Sequence, residues 1–190
     1  MKHLILTISL ILGLATSVSA ENEIFLKRLE AFAERGDLAA QIELANAYRK
    51  GIGVTQDYKT AVKWFTLAAE QGDAVAQYNL GIMHSFGLGV VPNYQAAVKW
   101  YTLAAEQGDP LAQYNLGRLY YLGKGVPESL VYAHMWAKHA SLNGFEMGTE
   151  LKVLLTELMT ENQINEANKL GKECRIKKYK ECRIKKYKGC

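Results

Sequence analysis

The sequence predicts an all-α solenoid of stacked antiparallel helix pairs, and three observations carry that prediction. Gly36, Gly72, Gly108 and Gly144 stand 36 residues apart. Gln41, Gln77 and Gln113 keep the same spacing, as do Leu44, Leu80 and Leu116, and Trp64, Trp100 and Trp136. Within each period Ala61, Trp64 and Ala68, with their counterparts, lie three, four and seven positions apart, on one face of a helix. A period of this length marks a helical array in which each unit buries its apolar face against the next.

The segment before the repeats is read as a secretory signal, residues 1–20. Lys2 and His3 give a basic start, Leu4 to Leu14 is almost wholly apolar, and Val18, Ser19 and Ala20 place small residues before Glu21. The apolar run is well short of the roughly 20 residues that cross a bilayer as a helix. The expectation is cleavage near Ala20, a periplasmic or secreted mature protein and no transmembrane anchor. No cysteine follows the small residues, so lipid attachment is not expected there.

Residues 21–35 are expected to form an N-terminal capping helix. From Glu23 to Arg35 the apolar residues Ile24, Phe25, Leu29, Phe32 and Ala33 fit one helix face. A terminal unit has no neighbour, and this helix is expected to cover the exposed end of the stack. Three repeats follow, at 36–71, 72–107 and 108–143. Asp37, Asp73 and Asp109 suit the N-cap, where a carboxylate accepts from free amides of the first turn. Pro110 fits the first helical position. The first helices are therefore predicted over 38–50, 74–86 and 110–122, each closing at a glycine, Gly51, Gly87 or Gly123.

A Gly-x-Gly-Val turn comes next in all three copies, from Gly51, Gly87 and Gly123. It is not a phosphate loop, because it follows a helix and lacks both a third glycine at the needed spacing and a Gly-Lys-Ser/Thr sequence. These glycines are turn residues. Asp57, Asn93 and Ser129 then cap the second helices. In those helices Ala61, Ala97 and Ala133, with Ala68, Ala104 and Ala140, allow a close approach while the tryptophan fills the gap. Trp64→Ala should cost about 3–5 kcal/mol if the ring is buried, read as a fall in melting temperature.

Ala-Gln-Tyr-Asn-Leu-Gly at 76–81 and 112–117, together with Gly-x-Gly-Val and Ala-x-x-Trp-x-x-x-Ala, resembles the Sel1-like repeat, a relative of the tetratricopeptide repeat. The first copy departs at Ile42, Glu43 and Ala45, and the third at Ala137, His139 and Leu142. The stretch Met159 to Ala167 is similar to the closing helix of short exported arrays. Thr160 would be its N-cap and Gln163 the capping-box partner. With Glu146 to Leu158 it makes the C-terminal capping helices, residues 144–171.

The resemblance implies a right-handed superhelix whose first helices line a concave face that holds a protein or peptide. Carried over by position, the lining would be Ala39, Ile42, Asn46 and Arg49, then Val75, Tyr78, Ile82 and Ser85, then Leu111, Tyr114, Arg118 and Tyr121. Arg49, Tyr78, Ile82, Ser85, Tyr114, Arg118 and Tyr121 are the candidate partner contacts, since tyrosine and arginine combine area with polar reach. Tyr78 and Tyr114 are equally readable as framework residues of the repeat.

No catalytic residues, metal ligands or cofactor are assigned. His84 stands where Tyr48 and Tyr120 stand, and reads as a packed or half-buried ring. His134 and His139 are five apart, about 140° round a helix, and do not form a metal pair. Gly-x-Ser-x-Gly and Ser-x-x-Lys are absent. Some exported proteins of the resembled kind are linked to β-lactams, but those carry cysteines inside the repeats, and here the repeats have none. β-Lactam binding or hydrolysis is therefore the enzyme alternative to a non-catalytic interaction module.

The tail, residues 172–190, differs from the body. It has 9 basic and 2 acidic residues, whereas Glu21 to Gly171 has 13 basic and 17 acidic. The octapeptide Glu173 to Lys180 recurs unchanged as Glu181 to Lys188. Binding of an anionic envelope polymer is a third reading, and nucleic acid is not expected for an exported chain. All three cysteines, Cys174, Cys182 and Cys190, lie here. An exported protein can oxidise them. A Cys182–Cys190 bridge is one possibility, with Cys174–Cys182 and Cys174–Cys190 left open, and the odd thiol allows a disulfide dimer.

Overall fold

The computed structural model describes residues 23–176. They form α1 (23–34), α2 (Leu38–Lys50), α3 (Tyr58–Glu70), α4 (Ala74–Phe86), α5 (Tyr94–Glu106), α6 (Pro110–Leu122), α7 (Leu130–Leu142), α8 (Glu146–Leu158) and α9 (Glu161–Ile176). Among the described residues there is no strand, and no helix is long and apolar enough to cross a membrane. Each helix packs on the one before it in the series α2 to α8, and α9 packs back on α7. The predicted all-α solenoid of helix pairs is what the chain forms.

Local chemistry sets the helix ends. The carboxylates of Asp37, Asp73 and Asp109 accept from the amides of Ala40, Ala76 and Ala112, at 2.6–2.8 Å. Each such cap contributes about 1 kcal/mol. Asp57, Asn93 and Ser129 cap α3, α5 and α7 in the same way. Gly51, Gly87 and Gly123 end the first helices in the left-handed region, with φ of 71°, 70° and 61°. The next turn glycine serves packing as well as conformation. A Cβ at Gly89 would overlap the backbone of Tyr58, and one at Gly125 that of Tyr94, so each turn rests on the second helix of the preceding repeat.

The recurring glutamine turns out to couple the repeats. Gln41, Gln77 and Gln113 are buried, and their amides donate to the carbonyls of Ala33, Ala69 and Ala105. Their own oxygens accept from Gln71, Gln107 and Asn143, whose amides also reach the carbonyls of Gly36, Gly72 and Gly108. A buried amide must be satisfied on both sides, and this relay does so while tying three successive loops together.

The tryptophans are not equivalent. Trp64 and Trp136 are buried at 6% and 4% exposure, whereas Trp100 is only half-buried. The alanines flanking them are fully enclosed, as the close-approach argument requires.

Two expectations about the ends need correction. In α1 only Leu29 and Ala33, with Leu26 in part, face the stack, while Ile24, Phe25 and Phe32 are more than half exposed. Positions 26, 29 and 33 form the inward face, which turns 24, 25 and 32 outward. At the other end α9 runs to Ile176, so the tail does not begin at 172. Its last turns are held because Cys174 is buried against Met135, Sγ to Sδ 3.9 Å. Cys182 and Cys190 lie outside the described residues, as does the signal segment. Thr160 and Gln163 form the expected reciprocal cap at the start of α9.

Candidate partner-binding face

The helices α2, α4 and α6 have the same length and phase, so positions 36 apart line up across the stack. Of the candidate residues, Arg49, Tyr78, Ile82, Ser85, Tyr114 and Tyr121 are half-buried and Arg118 is exposed. Each therefore keeps surface for a partner, and none belongs wholly to the core.

Tyr78 lies between repeats. Its ring is 6.0 Å from that of Tyr101, its hydroxyl lies beside Asn115, and Arg49 and Asp109 are close enough to act on its charge. Burial pushes its pKa up first, Asp109 adds to that, and Asn115 and Arg49 oppose it. Tyr101 comes from α5 and is 2% exposed. It can lie flat on α4 because a Cβ at Gly81 would overlap its ring. Burial pushes the Tyr101 hydroxyl up to about 12. Arg118 and Ser85 work against that shift from the open side.

The third row continues the surface. The Arg118 guanidinium lies 5.7 Å from the Tyr114 ring centre, and Phe145 meets the same ring edge-on at 5.2 Å. A cation over an aromatic face contributes about 0.5–1 kcal/mol at such an exposed site. Ser85, Tyr94, Tyr101, Asn115 and Arg118 line a cavity of about 120 Å³ between the second and third repeats. One donor on this face has no hydrogen-bond partner, Arg49 Nε, while the Ser85 hydroxyl lies beside that of Tyr101. Arg49 does donate from Nη2 to Asn46 at 3.0 Å.

The structure thus joins Tyr78 to Arg49, and Ser85 to Arg118 and Tyr114. It does not bring Tyr121 or Ile82 into the cavity; both pack against the core behind it.

A larger groove of about 540 Å³ opens at the N-terminal end, lined by Phe25, Leu26, Leu29, Asn46, Lys50 and Ile52. It is the same groove 72 residues earlier: Leu29 corresponds to Tyr101, Asn46 to Arg118 and Lys50 to Leu122.

Several residues of this surface were missed in the sequence. Tyr101 and Asn115 were passed over because one is on a second helix and the other reads as framework. The face also extends onto α8, where Met147, Glu150, Leu154 and Glu157 continue the four lining positions at the same 36-residue spacing. All four are exposed. The period itself was the signal that could have found them.

His84 is half-buried with its pKa lowered by burial. His134 and His139 are buried, and the pKa of His134 is lowered, by burial first and then by Lys138 and Lys152. Among the described residues no group of three potential ligands could hold a metal ion.

Comparison with known proteins agrees with this geometry. The sequence model of the Sel1 repeat matches residues 38–73, 74–109 and 110–145. The crystal structure of a Sel1 repeat protein from Oxalobacter formigenes is similar at 38% identity and a TM-score of 0.61, covering 67% of this chain and 96% of that one. The protective antigen c5321, present in uropathogenic Escherichia coli strains and displaying an SLR fold, is similar at 32% identity and a TM-score of 0.54, covering 81% of this chain and 41% of that one. None of the curated proteins matches the chain. With three matched repeats over more than half its length, the chain belongs to the Sel1 repeat family.

Proposed function

We propose that this protein is an exported, non-catalytic module that holds a protein or peptide against the surface running from Arg49 through Tyr78 and Arg118 to Tyr114. Sel1 repeats generally serve as protein–protein interaction modules and are typically non-catalytic, which supports the class of function. One observation carries the choice of surface. The donor Arg49 Nε is unpartnered beside a row of half-buried aromatic rings. An unmet donor in a shielded place costs free energy that a partner's carbonyl or carboxylate would recover. Tyrosine and arginine at the centre of a face are also the side chains that most often anchor interfaces.

The experiment is photo-crosslinking in the native envelope from position 122, an exposed residue lining the cavity, followed by identification of the captured protein and repetition with Arg118→Ala and Arg49→Ala. Both side chains stand outside the core, so melting should stay close to the parent. Capture should fall at least tenfold in the pair. Unchanged capture by a folded double variant would defeat the choice of surface. Recovery of a mature chain beginning near Glu21 from the exported fraction would support export, and a chain retaining Met1 in the cytoplasm would overturn it.

A further inference from the structure

The fourth row of the face differs in chemistry from the other three. On α8, Met147, Leu154 and Leu158 are exposed at 46%, 45% and 52%. Spaced seven and four apart they form one stripe, and Glu150 and Glu157 lie beside it, each three positions after an apolar residue. Among the described residues none of Glu146, Glu150 and Glu157 is in a salt bridge, and α8 carries only Lys152 to balance them. An apolar stripe edged by unpaired carboxylates fits a segment that alternates apolar side chains with cations.

The chain contains such a segment beyond its last described residue. Residues 177–190 carry seven lysines and arginines against one glutamate, with Tyr179, Ile184 and Tyr187 among them. The reach is sufficient. Fourteen residues span up to about 46 Å when extended, whereas the 16 residues of α9 are only about 24 Å long. The segment also departs close by, since Cys174 shares one buried cluster with Leu155 of α8 and Met159 just after it.

We propose that the basic tail, residues 177–190, docks on the apolar and acidic stripe of α8, covering the C-terminal end of the concave face. The duplicated octapeptide then has a role, because both copies supply a tyrosine and lysines to one stripe, through Tyr179 and Tyr187. If the partner reading above holds, the tail competes with the partner for that end of the face. The docking itself does not depend on that reading.

Zero-length carbodiimide crosslinking of the full mature chain tests this, because it joins a lysine to a carboxylate only when the two are in contact. An equal mixture of unlabelled and isotope-labelled protein separates links within a chain from links between chains. The expected result is linkage within one chain from lysines of 177–188 to Glu150 or Glu157, lost at high salt. The double variant Glu150→Gln with Glu157→Gln, exposed and fold-neutral, should also raise the rate of tryptic cleavage in the tail about fivefold, in line with two exposed ion pairs. Links made only between chains would assign the stripe to a second copy and overturn the proposal. Links spread equally over other exposed carboxylates such as Glu70 and Glu128, or no links, would overturn it too. None of these outcomes bears on partner capture at Arg49 and Arg118.

Discussion

The groove at the N-terminal end and the cavity between the second and third repeats are built from the same positions, yet one measures about 540 Å³ and the other about 120 Å³. Two things fill the inner one. The preceding first helix lends Ser85 and Phe86, and Tyr101 stands where the outer groove has Leu29. At the N-terminal end the described residues include no earlier first helix, so Phe25 and Ile52 stay exposed. The depth of the surface at any repeat is therefore set by what its neighbour supplies, and a motif within one repeat does not determine it. The C-terminal end is closed differently, by α9 laid on α7 with Cys174 and His139 buried there.

The largest test of the comparison is Tyr101→Ala, which removes the side chain that fills the inner cavity. It should destabilise by about 3–5 kcal/mol, read from denaturant unfolding. The same truncation at Leu29, on the end of the stack, should cost only about 2 kcal/mol. Equal losses would mean that the two grooves do not differ in how neighbours support them.

Tyr101 also predicts a pH dependence. Its hydroxyl titrates near 12 when folded and at about 10 when unfolded, so the folded chain holds the proton more tightly. Stability is full below pH 10 and is lost as pH rises towards 12, by about 2–3 kcal/mol. Tyr101→Phe should flatten that part of the stability curve, and a variant as alkali-sensitive as the parent would contradict the buried placement.

A smaller effect sharpens the point about neighbours. Gln77→Ala should cost about 1–3 kcal/mol, because it leaves the carbonyl of Ala69 and the amide of Gln107 without that partner. Its signature is a broader unfolding transition, since the relay joins repeats that would otherwise unfold more independently. A loss of stability with no broadening would reduce the relay to a local bond.

Much of this was readable because it is local and periodic. The caps, the left-handed glycines and the bounds of α2, α4, α6 and α8 follow from residue type at a fixed position, and the structure keeps them. The alignment of Tyr78, Tyr114 and Arg118 across the stack follows from the period. The cavity between the repeats was not readable, because Tyr101 reaches it from a second helix through the space left by Gly81. The outward turn of Phe25 and Phe32 was missed for a related reason. Helical spacing shows which residues share a face, but the packing partner decides which face is buried.

The sequence by itself determined the helix ends, the 36-residue repeat and the membership of each row, since all three arise from contacts within a repeat or from identical chemistry repeated. Only the tertiary structure decided how deep the surface is, that the glutamines form a relay, that Trp100 stays half-buried while Trp64 and Trp136 do not, and that α8 adds a fourth row. Those features depend on side chains about 30 to 40 positions apart meeting in space, and no single stretch of chain encodes such a meeting.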